Sequence, residues 1–120
     1  MTGKRVLVVD DDAGIRTLLG RGLGADYRVE TVSNGSQAIG AFLREPADAI
    51  VLDIRLPGMD GNDLLPALRA LSATVPIVVI TGTVSREVRD AARAHGVEHL
   101  LEKPFDMQDL ATRLAAVLGG

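Results

Sequence analysis

The chain has no cysteine and no tryptophan, and aromatic residues fill only 2% of its 120 positions. Without thiols, neither a disulfide framework nor a thiolate zinc site can form; the composition suits a reducing compartment, and a cytoplasmic protein is expected. One tyrosine and two phenylalanines supply few stacking platforms for bases and few aromatic cages for cations. Long apolar runs are missing too. No stretch reaches the roughly 20 residues a membrane-spanning helix needs, so no membrane role is expected. The opening Met1-Thr2-Gly3-Lys4-Arg5 runs straight into a short apolar segment, unlike a signal peptide with its longer apolar region and small-residue cleavage site. Charge of one sign is also scarce: thirteen Lys and Arg against sixteen Asp and Glu leave −3. That balance gives no surface built to hold nucleic acid, so no direct nucleic-acid binding is expected of this domain.

What is present is aliphatic. At 47% hydrophobic, a chain of this length can bury one core, and residues 1–120 are expected to form one domain. Short β-branched runs at Arg5 to Asp10, Tyr27 to Val32, Ala49 to Asp53, Pro76 to Ile80 and His99 to Glu102 read as strands. Helical spacing fills Ala13 to Leu23, Ser36 to Arg44, Asn62 to Leu71, Ser85 to His95 and Asp106 to Leu118. The pattern is (βα)5, an α/β fold. Val6-Leu7-Val8-Val9, Ala49-Ile50-Val51-Leu52 and Ile77-Val78-Val79-Ile80 are continuously apolar. Such runs belong to central parallel strands covered on both faces, which makes the sheet doubly wound. Asn34 followed by Gln37 resembles a capping box, Ser85 can cap the fourth helix and Gly96 can stop it. Pro66 inside the third helix removes a backbone donor and is expected to bend it. No repeat, low-complexity linker or charge run marks a second domain.

In open parallel sheets the functional crevice lies beyond the carboxyl ends of the strands. Here the first strand ends in Asp10-Asp11-Asp12, the third in Asp53 and the fourth in Thr81, while Lys103-Pro104 follows the fifth. Right-handed crossovers bring these ends to one edge. Two carboxylates about 4 Å apart repel by roughly 4 kcal/mol at an effective dielectric near 20, so converging acids call for a cation or for raised pKa values. Oxygen ligands without His or Cys favour Mg2+ or a similar hard ion. Each element has a plainer explanation when taken alone. Asp12 reads as a helix cap, a lone lysine as solvated and a strand-end threonine as ordinary, but a cap does not explain acids from two strands meeting. His95 and His99 sit away from the acidic edge and read as surface histidines.

These gathered positions, with Val8-Val9-Asp10-Asp11, Asp53 before Leu56-Pro57-Gly58-Met59-Asp60-Gly61, Thr81 and Lys103-Pro104-Phe105, resemble the receiver domains of bacterial two-component response regulators. The resemblance spans essentially the whole chain. It implies a CheY-like sheet of strand order 2-1-3-4-5 and a phosphorylation-dependent signalling switch rather than an enzyme acting on other substrates. It further implies Asp53 as phosphoacceptor, Mg2+ held by Asp11, Asp53 and the backbone carbonyl of Arg55 with Asp10 acting through water, and Thr81 and Lys103 on the phosphoryl group. The implied partners are a sensor histidine kinase or phosphotransfer protein and a downstream target or output domain; the implied state is a monomer or a phosphorylation-dependent homodimer. The changed surface would be helix four, strand five and helix five.

Two positions depart from the family pattern. Leu100 stands where receivers usually carry Tyr or Phe, and Gly82 where alanine is common. The leucine is the best support for a rival, a receiver-like scaffold that binds partners without phosphorylation; the intact acidic set argues against it. A flavodoxin-like cofactor binder would want a Gly- or Ser/Thr-rich phosphate loop after the first strand, where Asp10-Asp11-Asp12 would repel phosphate. A magnesium phosphohydrolase would need its nucleophile after the first strand, and chain to spare for a cap.

Overall fold

Strand burial follows from strand composition. In the computed structural model, which describes residues 3–54 and 61–119, every residue of β1 (Arg5–Val9), β3 (Ala49–Asp53) and β4 (Ile77–Thr81) is buried. β2 (Arg28–Val32) and β5 (His99–Glu102), which carry charged residues, are largely exposed or half-buried. All pairings are parallel, in the order β2-β1-β3-β4-β5. The continuous apolar runs therefore take the centre and the mixed ones the edges, as parallel sheets require.

Alternation along the central strands divides the core in two. Leu7, Val9, Ile50, Leu52, Ile77 and Val79 face α2 (Gly35–Arg44), α3 (Gly61–Leu71) and α4 (Arg86–Ala94). Val6, Val8, Ala49, Val51, Val78 and Ile80 face α1 (Ala13–Leu23) and α5 (Met107–Leu118). The helices meet them with residues at helical spacing: Leu19 and Leu23 on α1, Leu64, Leu65 and Leu68 on α3, Leu110, Leu114 and Leu118 on α5. This is the doubly wound (βα)5 architecture that the sequence pattern predicts, with the strand order that the resemblance implies.

Caps set the boundaries, and they shift several by a residue. Asp12, Asn34, Ser85 and Asp106 stand outside their helices and accept from Ile15, Gln37, Val88 and Gln108 N–H. The return bond of the second cap differs from a standard box: Gln37 Oε1 accepts from the N–H and hydroxyl of Ser33 rather than from Asn34. Gly96, at φ +70°, takes the left-handed turn after α4. Tyr27 donates its N–H to Leu23 and closes the end of α1, so β2 starts one residue later than its β-branched run suggests. α3 runs unbroken through the exposed Pro66.

Leu114, fully buried between α5 and the sheet, tests this packing. Leu114→Ala is expected to cost about 2–5 kcal/mol, read as a lower urea midpoint at an unchanged slope.

Candidate functional site

Parallel register brings four strand ends together. Val9 pairs with Leu52, Asp53 with Ile80 and Thr81 with Glu102, so Asp10, Asp53, Thr81 and Lys103 follow one another across the carboxyl edge. Backbone bonds extend the ladder at this edge: Asp10 N–H donates to Val32 O at 3.1 Å, Ile54 N–H to Ile80 O at 3.2 Å, and Lys103 N–H to Thr81 O at 2.7 Å.

Asp10 is wholly buried and Asp53 is 5% exposed, while Asp11 is exposed. Their carboxylate oxygens lie within 4.8 Å of one another. Lys103 Nζ bridges them, 3.0 Å from Asp10 Oδ2 and 3.1 Å from Asp53 Oδ2. Asp10 Oδ1 accepts from Asp12 N–H at 2.9 Å, but Oδ2, although inside ion-pair distance of the ammonium, takes no directed hydrogen bond among the described residues. Desolvation opposes the charge on Lys103, yet its close contacts with the Asp10 and Asp53 carboxylates and their negative charges prevail, holding its pKa above the ordinary value.

One ammonium against three carboxylates leaves the cluster electronegative. A buried acid oxygen with no directed donor, an exposed Asp11 with no partner among the described residues and an all-oxygen donor set fit a hard divalent cation. Arg55 and the segment Leu56 to Asp60, to which the resemblance assigns a carbonyl ligand and a characteristic loop, lie outside the described residues.

Thr81 is wholly buried at the end of β4. Its hydroxyl is turned to its own loop, donating to Thr83 O at 3.0 Å and accepting from Thr83 N–H at 3.3 Å. A Cβ built at Gly82 would meet nothing within 4 Å, so the room at this loop does not depend on glycine. Leu100 is half-buried and packs against the core that includes Val88 and Ala92. Both histidines lie off the acidic edge and are half-buried rather than fully at the surface. His95 caps the end of α4, its carbonyl accepting from Arg69 Nε at 2.7 Å, and His99 opens β5 with Nδ1 3.3 Å from Arg113 Nη1. Asp12 does the capping read for it.

One contact was not read from the sequence. Arg16, on α1, reaches back so that Nη1 donates to the Asp10 carbonyl at 2.7 Å. The available signal was a cation within a turn of a helix start, where the macrodipole disfavours it.

The sequence model of the response regulator receiver domain matches residues 6–115. The transcriptional regulatory protein PrrA of Mycobacterium bovis is 39% identical over 119 residues, covering 98% of this chain and 51% of that protein. Response regulator MprA of Mycolicibacterium vanbaalenii is 36% identical over 115 residues, 95% of this chain and 50% of that protein. The chain thus spans about half the length of these relatives. Among solved structures, the chemotaxis protein CheY4 of Vibrio cholerae superposes with a TM-score of 0.89 at 32% identity, covering 96% of this chain and 98% of that one. The receiver domain of the sensor histidine kinase PA1611 from Pseudomonas aeruginosa, with a magnesium ion coordinated in its active site cleft, gives 0.87 at 31% identity, covering 98% and 99%.

The Lys103 shift has a pH signature. Because the folded pKa lies above the ordinary 10.5, the stabilisation is complete below that value and is lost as pH rises through the folded pKa. Urea unfolding of the protein and of Lys103→Met across this alkaline window is expected to show the difference in stability between them shrinking as pH rises; a constant difference would contradict the bridge.

Proposed function

Since the chain belongs to the response regulator receiver domain family of two-component systems, we propose that it is a phosphorylation-driven switch in which Asp53 accepts a phosphoryl group from phosphohistidine. The donor is a sensor histidine kinase or a phosphotransfer protein. The observation that carries this reading is the Asp53 carboxylate, nearly buried, 3.1 Å from Lys103 Nζ and clustered with Asp10 and Asp11.

Asp53 acts as the nucleophile: a carboxylate oxygen attacks phosphorus, the bond to the donor imidazole nitrogen breaks, and an acyl phosphate results. Such transfer asks the protein mainly for positioning and charge neutralisation. Asp11, Asp53 and the carbonyl of Arg55, with Asp10 through water, would hold Mg2+. The ion supplies charge neutralisation for the phosphoryl oxygens when bound. Lys103 is already on Asp53 and needs only to pass from carboxylate to phosphoryl oxygen. Water later hydrolyses the acyl phosphate and resets Asp53, so the domain catalyses only its own phosphorylation and dephosphorylation.

Thr81 couples this chemistry to shape. Turning its hydroxyl to the phosphoryl group breaks a neutral bond to Thr83 O, worth about 0.5–1.5 kcal/mol net, and makes one to a charged group, worth about 1.5–3 kcal/mol. The exchange favours the turn, and the β4–α4 loop follows it. With Leu100 in place of an aromatic, the change reaches α4, β5 and α5 through that loop rather than through an aromatic rotamer.

Residues 1–120 serve as the receiver unit, in the cytoplasm, as a monomer or a homodimer formed on phosphorylation. Among the described residues no helix is long and apolar enough to cross a membrane. PrrA's name as a transcriptional regulatory protein supports an output segment or protein partner that contacts DNA, the receiver itself making no contact.

Incubation with acetyl phosphate and MgCl2, followed by intact-mass measurement, tests the proposal. The protein is expected to gain one phosphoryl group, and to gain none in EDTA or as Asp53→Asn. A protein that stays unmodified here and when given a phosphorylated histidine donor would instead be a phosphorylation-independent scaffold.

A further inference from the structure

Asp11 is the least supported member of the acidic set. It is exposed, and among the described residues its carboxylate has neither hydrogen bond nor ion pair. Among the described residues nothing on the side chain fixes where it points, and the backbone that carries it sets its direction. That backbone is tied at several points. Asp10 N–H is held by Val32 O, Asp12 N–H by Asp10 Oδ1, and Asp12 caps α1 through Ile15 N–H at 3.1 Å. A further tie is at the Asp10 carbonyl, which belongs to the peptide joining Asp10 to Asp11. Arg16 Nη1 donates to it at 2.7 Å.

Arg16 is placed against local preference. It lies one turn into α1, near the positive end of the helix dipole, and α1 has no acidic residue in its first turn to offset it. No carboxylate lies within ion-pair distance of its guanidinium among the described residues; its hydrogen bond goes to a neutral carbonyl. A cation held there for charge alone would pair with one of the three neighbouring acids.

We propose that Arg16 is a positioning residue for the divalent-cation site, fixing the plane of the Asp10–Asp11 peptide and so the direction from which Asp11 offers its carboxylate. This rests on the functional reading above, which supplies the cation. The two roles open to a cation at this spot have opposite signs. As a mere neighbouring charge, Arg16 repels a metal ion, and its removal tightens binding. As a positioning residue it preorganises a ligand, and its removal weakens binding; outer partners of metal ligands typically contribute tenfold or more, about 10–100-fold.

Isothermal titration of MgCl2 into the whole chain, its Arg16→Met and Arg16→Lys variants, and Asp53→Asn separates them, with melting temperatures in EDTA recorded for each. Arg16→Met is expected to raise the magnesium Kd about tenfold while melting close to the parent in EDTA. Arg16→Lys, whose ammonium can still donate to one carbonyl, is expected to fall between. Should Arg16→Met not fold, Arg16→Gln, too short to reach the carbonyl, carries the same test. A Kd equal to or below the parent's in Arg16→Met or Arg16→Gln overturns the assignment and leaves the functional reading intact. A parent chain that binds no magnesium, or binds it no better than Asp53→Asn, overturns the functional reading and this inference with it.

Discussion

Three carboxylates meet at the edge of an aliphatic sheet, and a single ammonium ties two of them together. Water screens little of this repulsion, because Asp10 and Asp53 are buried. Carboxylates brought this close oppose folding, and the more so the less water reaches them. Lys103 offsets part of it, and its raised pKa is the reciprocal sign of the same interaction. The remaining negative charge is the site's capacity to bind: a folded chain that carries an unneutralised acid cluster gains stability from any hard cation that enters it.

Parallel topology makes such a cluster possible. Every strand of a parallel sheet presents its carboxyl end to the same side, so residues at or just past the ends of β1, β3, β4 and β5 reach one crevice although they are up to 93 positions apart, from Asp10 to Lys103. The central strands are buried on both faces, and a slip of one residue would send Val6 and Leu7 to opposite cores. The two packed layers therefore hold the register, and the register holds the acids. Asp53 ends a central strand and is paired with Lys103, whereas the Thr81 hydroxyl bonds within its own loop, to Thr83.

The sheet and the acid cluster were legible in the sequence because both depend on short-range rules. Continuous apolar runs mark the central strands, charged ones such as Arg28-Val29-Glu30 mark an edge, and strand-end acids mark the crevice. What escaped was set by geometry between residues several positions apart. Tyr27 has strand propensity, yet its N–H closes α1. Gln37 satisfies Ser33 rather than the cap beside it, since the entering chain places Ser33 within reach. Arg16 carries no motif of its own, and only the fold brings its side chain to the Asp10 carbonyl. Leu100 is a departure from the family pattern legible in the sequence, and the structure packs it, half-buried, against the core on the α2, α3 and α4 side of the sheet. The carbonyl of Arg55 lies in a segment outside the described residues.

The oxygen ligands gathered from Asp10, Asp11 and Asp53 fit a hard divalent cation. The most direct measurement is urea unfolding of the chain in increasing MgCl2, against NaCl at matched ionic strength. A saturable gain in stability with MgCl2 is expected, one that NaCl does not reproduce and that Asp53→Asn largely abolishes. Identical curves in the two salts would contradict it, since they would mean that Asp10, Asp11 and Asp53 are neutralised within the protein and have no place for an ion.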